Sequence, residues 1–298
     1  MRTFKGFLMK FFTAVLLAFL FSTVSFSQDA LPRLMETEAA FIRSAEGKGV
    51  KQAFLEYLAP DSILFRPQAV NGHSYWKDRD EAADRSLVRK TIYGDISSNG
   101  MLGYTTGNWR LYPKGQSESS AIYGQYVTIW ERRQDGTYRA SVDIAITHDK
   151  LPFSETDAVG KVDRSRDPNK RGWSPADASM NFLRMSMTNA RLGGAYEEYA
   201  ADDIRLLVDG EPPLLGRKRV VRAMNRYVAA DFPTKVTMFQ AADMAYTWNP
   251  CKFTNNDEGM ENGNCLNIWK LRDKKWWIVL AVYAKFPNDK PPVIKRRP

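Results

Sequence analysis

The stretch Ala53-Phe-Leu-Glu-Tyr-Leu-Ala-Pro-Asp61 returns later in the chain as Ala195-Tyr-Glu-Glu-Tyr-Ala-Ala-Asp-Asp203. Tyr57 with Tyr199 and Asp61 with Asp203 share one offset, 142 positions. Upstream, Phe41-Ile-Arg43 answers to Phe182-Leu-Arg184, one residue out of step. Downstream, Met101-Leu-Gly-Tyr-Thr105 answers to Asp243-Met-Ala-Tyr-Thr247 at the offset of 142. Ile129-Trp130 and Asp135 then match Ile268-Trp269 and Asp273, at offsets of 139 and 138. Matched blocks in one order, slipping by only a few residues, read as a duplication of one domain-sized unit.

Each copy reads alike locally. In the first, Leu31, Leu34, Met35, Phe41, Ile42 and Ala45 fall at helical spacing, and Gly47 and Gly49 end the run. Val50, Phe54, Tyr57 and Leu58 predict a second short helix stopped by Pro60. Strands are predicted at 62–66, 101–112, 123–132 and 138–147, with Asp135-Gly136 as the turn of the last pair. The second copy opens on Ser174-Pro175-Ala176-Asp177, an N-cap with proline in the first turn. Val220, Val221, Met224, Tyr227 and Val228 line a later helix, and strands follow at 236–239, 244–248, 266–271 and 276–283. The expected domains are 31–148 and 176–286, joined by a charged linker at 149–175 that carries Pro152, Gly160, Pro168 and Gly172. A basic, proline-rich tail, 287–298, is expected to be mobile.

The first 27 residues have the layout of a secretory signal peptide. Arg2, Lys5 and Lys10 precede an apolar run from Phe11 to Phe21, and Ser25 and Ser27 supply the small residues of a cleavage site after Ser27. That run is shorter than the roughly 20 residues a bilayer span needs. A secreted or periplasmic protein is expected, with no stable membrane insertion once the leader is removed. Cleavage would lower the net charge from +9 to +6, a diffuse excess that argues against nucleic acid as a partner. The only cysteines, Cys251 and Cys265, would close a 14-residue loop if oxidised, worth ~3 kcal/mol in the chain-entropy model. Two free buried thiols are the alternative. With only two histidines besides, a thiolate–imidazole zinc site is nearly ruled out, and no metal or cofactor is expected.

Helices followed by antiparallel strands make an α+β arrangement. An opening helix, the aromatic-x-x-Tyr-x-Ala-x-Asp segment, a Gly/Ala-Tyr-Thr strand and a Trp-rich terminal hairpin together resemble the nuclear-transport-factor-two-like (NTF2-like, cystatin-like) superfamily of bacterial and other proteins. Ketosteroid isomerases and SnoaL-like cyclases belong to it. The resemblance covers both copies and implies two tandem cones, each with N-terminal helices packed on a strongly curved antiparallel sheet around a pocket. It does not carry over the isomerase chemistry. The positions matching that family's general base fall on Arg66 and Val208, and those matching its phenol donor fall on Phe41 and Phe182. A guanidinium cannot take a carbon-bound proton, and a phenyl ring cannot hydrogen-bond an enolate. Asp209 stands one residue from the base position, and one step along a strand turns a side chain to the other face.

Alternation across residues 138–146 puts Tyr138, Ala140, Val142, Ile144 and Ile146 on one face, and Asp143 on the other with Arg139 and Ser141. If the second face looks into the cone, Asp143 is a candidate acid/base or acceptor, with a carboxylate paired to a nearby arginine as the alternative. Arg66, His73, Trp76, Tyr104, Trp109 and Trp130 are the candidate ligand contacts. The second copy has Ala281 where the first has Asp143. Three functions compete. The first is a non-catalytic binder of a small apolar or aromatic molecule. The second is a SnoaL-like isomerase, cyclase or hydrolase that uses Asp143. The third is an interaction module in which two copies pair as a dimer within one chain, or as a homodimer.

Overall fold

A computed structural model describes residues 29–79, 85–113, 120–151, 174–188, 191–231, 233, 236–256 and 259–287. The expected leader lies outside the described residues, as do nearly all of the linker and tail. None of the described helices is long and apolar enough to cross a membrane.

The first half begins with α1 (Ala30–Lys48), which buries Leu31, Leu34 and Phe41 and ends where Gly49 takes a positive φ of 93°. Helix α2 (Val50–Tyr57) buries Ala53 and Phe54. Strand β1 (Leu58–Phe65) follows at once, earlier than the sequence pattern predicts, so Pro60 lies inside a strand. Proline is tolerated there because pairing with the neighbouring strand skips from Leu58 to Ile63, and no ladder bond needs its missing N–H. The stretch with no clear sequence signal holds β2 (Ala69–Asn71), the short helix α3 (Gly72–Lys77) capped by the Asn71 side chain, and β3 (Arg85–Ile96). Strands β4 (Leu102–Pro113), β5 (Ile122–Arg132) and β6 (Tyr138–His148) complete a sheet of order β2-β1-β6-β5-β4-β3, antiparallel except for β1 beside β6.

The second half repeats the plan. Helix α4 (Pro175–Ser186) has a full capping box between Ser174 and Asp177, and α5 (Arg191–Tyr199) buries Leu192, Ala195 and Tyr196. Strand β7 (Ala200–Val208), β8 (Leu214–Leu215) and α6 (Arg217–Met224) follow. The helix ends before Tyr227, which instead opens β9 (Tyr227–Ala229). Strands β10 (Thr237–Ala241), β11 (Met244–Asn255), β12 (Gly259–Arg272) and β13 (Lys275–Lys285) give the order β10-β11-β12-β13-β7-β8, with β9 also on β11. Both β11 and β12 outrun the apolar pattern. Their polar ends, Asn249 to Asn255 against Gly259 to Cys265, pair in unbroken register.

One sequence expectation is corrected in β6. Residues 138–146 do not alternate cleanly, because Ile129 pairs with Val142 while Trp130 pairs with Ala140, leaving Ser141 as an extra residue. Tyr138 and Ala140 therefore point with Leu34, Phe41 and Trp130 into the first cone, whereas Val142, Ile144 and Ile146 point out of its back. The second half has the same irregularity: Ile268 pairs with Leu280 and Trp269 with Ile278, leaving Val279 over.

The two convex backs face each other. Tyr104, Val127, Ile129, Val142, Ile144 and Ile146 share one buried cluster with Tyr246, Leu266, Ile268, Leu280 and Val282. Phe65 meets Trp248 edge-on at 5.4 Å across this boundary. Asp209 turns away from its cone, and its carboxylate accepts from the Thr147 N–H and hydroxyl of the other half, each at 2.7 Å.

At one edge of the boundary Lys270 is fully buried. Its ammonium donates to the Ile96 carbonyl at 2.8 Å and lies 3.5 Å from Asp95 and 3.4 Å from Asp243. Burial pushes the Asp95 carboxyl above its ordinary range, and Lys270 pulls it back. Removing one partner from such a buried cluster strands the others at a cost of about 3–5 kcal/mol. Lys270→Met should lose that much in urea unfolding, and it should split one transition into two as the halves uncouple.

Candidate functional site

The first cone encloses a cavity of about 350 Å³. Helix α2 contributes Val50, Lys51 and Phe54, and the chain after β1 contributes Arg66. Helix α3 and its C-terminal end bring Tyr75, Trp76 and Arg79, and the sheet supplies Leu87 and Arg89 from β3, Trp109 and Leu111 from β4, and Asp143 and Ala145 from β6. Trp76 stacks on Phe54 at 4.7 Å. Trp109 lies across Gly124 of β5, where a Cβ would fall 2.6 Å from the indole and 1.9 Å from the Ile146 carbonyl. Glycine at 124 is what lets the ring reach the wall. Its indole N–H is spent on the Gln125 and Ile146 carbonyls at 3.1 and 3.2 Å.

The polar centre is a buried ion pair. Asp143, 1% exposed, takes both terminal nitrogens of Arg89 at 3.0–3.1 Å and the Thr128 hydroxyl at 2.7 Å. The Arg89 guanidinium also lies over the Tyr126, Phe41 and Phe54 rings, at 4.3, 5.1 and 5.5 Å from their centroids. Behind it, Glu38 of α1 accepts from Thr105 at 2.6 Å and from Tyr126 at 2.9 Å. Burial holds the Glu38 carboxyl above its ordinary range, against Arg89 and the two hydroxyls. Burial opposes the Arg89 charge, but Asp143 and Glu38 outweigh it and hold the guanidinium above its ordinary value. Burial, with Glu38 beside it, pushes the Tyr126 phenol well up. Asp143 has few acceptor sites left for a substrate proton, and protonating it would strip Arg89 of its partner.

Of the sequence candidates, Asp143, Arg66, Trp76 and Trp109 line this cavity, and His73 sits half-buried on α3 outside its lining. Tyr104 faces the other way, into the boundary between the sheets. Trp130 is wholly buried in the tip of the cone, edge-on to Phe41, its N–H donated to Thr105 at 3.0 Å. The pattern at 138–146 misses the bulge and leaves open which face looks into the cone; Asp143 lines the cavity. Glu38, Arg89, Tyr126 and Thr128 were not anticipated. Glu38 had a readable signal, a lone charge on the Leu31, Leu34, Phe41 stripe of α1. Among the described residues no cluster of three metal-ligating side chains occurs.

The second cone is nearly closed, with about 30 Å³ of space. Cys251 and Cys265 form a disulfide on the inner wall, at the offsets that match them to Trp109 and Tyr126. Phe253, Tyr283 and Tyr227 fill the interior, with ring centroids 4.8–6.1 Å apart. Ser179 stands in place of Glu38 and Ala281 in place of Asp143. The polar centre has no second copy.

In topology the two halves share one plan, leading helices packed on a curled sheet that is antiparallel except where its first long strand lies beside its last. No family model matches the sequence, and no curated protein matches it. Among solved structures, an NTF2-like protein from Cytophaga hutchinsonii is 12% identical, with 38% of this chain and 95% of that one covered at a TM-score of 0.33. A cystatin-like-fold protein from Nostoc punctiforme is also 12% identical, with 39% and 96% covered at 0.31. An NTF2-like protein from Prochlorococcus is 19% identical, with 39% and 97% covered at 0.32.

Glu38 sets a pH dependence. A carboxyl whose folded pKa lies above its unfolded value, near 4.5, adds stability in full below that value, and the addition is lost as pH rises through the folded pKa. Glu38→Gln should remove this slope. Urea unfolding from pH 4 to 9 should show wild type losing ground steadily to the variant as pH rises.

Proposed function

We propose that this chain is an exported protein that holds a small, largely apolar or aromatic molecule in its first cone, without catalysing a reaction on it. The observation that carries this reading is the contrast of cavities, about 350 Å³ in the first half against about 30 Å³ in the second. A cleft walled by Phe54, Trp76, Leu87, Trp109 and Leu111, with its charge gathered in the Arg89–Asp143 pair and in Lys51, Arg66 and Arg79, is the usual construction of a small-molecule site. Asp143 acts as the counter-ion that keeps Arg89 buried, which speaks against its use as an acid/base. The second half serves as a scaffold, since its sheet covers the back of the first and its interior is filled.

Ala145 borders the cavity and is half-buried, so Phe at this position would fill the space without touching the boundary between the sheets. Thermal shift against a panel of one- and two-ring aromatic compounds should raise the melting temperature of the wild-type chain by a few degrees. The Ala145→Phe variant should fold and show no shift. A wild-type chain indifferent to the whole panel, or a variant that responds equally, defeats the proposal.

A further inference from the structure

Among the described residues, the mouth of the first cone carries charge of one sign. Arg66 and Arg79 both place their guanidinium carbons over the Tyr75 ring, at 5.7 and 4.9 Å from its centroid. Arg66 spends one N–H on the Phe65 carbonyl, and Arg79 donates to the Tyr75 hydroxyl. Neither has a carboxylate partner among the described residues. Lys51 adds a third cation, its ammonium donating to the Arg79 carbonyl. Deeper in, Arg89 and Asp143 neutralise each other, and Asp143 is the only carboxylate among the described lining residues. Its oxygens are already taken. The wall therefore offers spare donors and positive charge at the rim and apolar rings beneath.

We propose that the ligand is an amphipathic organic anion, its ring body seated against Trp76 and Trp109 and its carboxylate held at the mouth between Arg66 and Arg79. This rests on the first cone being a ligand site, and it adds the chemical class. Guanidinium forks match the planar, two-oxygen geometry of a carboxylate. Low-dielectric walls around a patch of one sign strengthen the attraction beyond what the same cations would exert on an open surface.

Isothermal titration of the mature chain with two matched pairs tests the idea: 2-naphthoate against 2-naphthamide, and phenylacetate against phenylacetamide. Each acid should bind at least ~10-fold more tightly than its amide, a difference of about 1.4 kcal/mol. Arg66→Gln/Arg79→Gln should erase that preference, bringing each acid down to the affinity of its amide, while the melting temperature of the free chain stays at the wild-type value because both side chains are exposed and outside the core. Equal affinity for acid and amide in the wild-type chain overturns the anion assignment and leaves the cone as a ligand site. A preference that survives in the double variant overturns the role of these two arginines. Absence of binding by all four compounds counts against the ligand site itself, and the anion assignment falls with it.

Discussion

The extra residue in the last strand of each sheet governs the rest of the molecule. A regular β6 would send Tyr138, Ala140, Val142, Ile144 and Ile146 to one side, and either the cone or its back would lose its apolar lining. Inserting Ser141 changes sides in mid-strand. Tyr138 and Ala140 close the tip of the cone, Asp143 and Ala145 face its cavity, and Val142, Ile144 and Ile146 are free to pack outward. A bulge also bends the strand and raises its twist, which is what a sheet needs in order to curl around α1. Val279 makes the same change in β13, so both halves present an apolar back. Two such backs cannot remain in water as patches of that size, and each is the other's cover.

Inside the cones the two halves solve the same packing problem differently. Both keep an aromatic tip: Phe41, Phe54, Tyr57 and Trp130 in one, Phe182, Tyr196, Tyr199 and Trp269 in the other, edge-on at similar spacings. Both tie the tryptophan N–H to a threonine hydroxyl at 3.0 Å, Trp130 to Thr105 and Trp269 to Thr247. Toward the mouth they part. The first half holds a buried arginine–aspartate pair, which costs several kcal/mol to desolvate and recovers that cost only through good geometry and further hydrogen bonds. The two-point contact, the Thr128 bond and three aromatic faces around Arg89 supply those conditions. The second half replaces the polar set with a disulfide and an aromatic trio, and its cavity closes.

Much of this was legible in the sequence because the informative residues are those of the core. The repeat, the α+β order and the Ser174 cap all rest on matched blocks, apolar spacing or a local capping rule, and the two curled sheets with their leading helices follow that plan. Elements that depend on distant partners were not legible. Strand β3 has no apolar run of its own and is held by pairing to β4, and the polar ends of β11 and β12 are strands only because each has the other. The bulge at Ser141 depends on the register of β5, which alternation within one strand does not contain. For the same reason Asp143 could be marked as a candidate while its partner, Arg89, 54 positions away on another strand, could not.

The unequal cones follow from what each face of the sheet must do. Outward residues are bound by mutual burial: a polar change on either back would bury an unpaired group against the other, at roughly 1–3 kcal/mol. Buried charge at that boundary, Lys270 among Asp95 and Asp243, tightens the constraint, because no member can leave alone. Inward residues near a mouth carry no such mutual obligation, since the cavity of one half does not touch that of the other. The interiors were thus free to diverge while the backs were not. A single chain can then keep one open cone and another that is filled and cross-linked, set back to back.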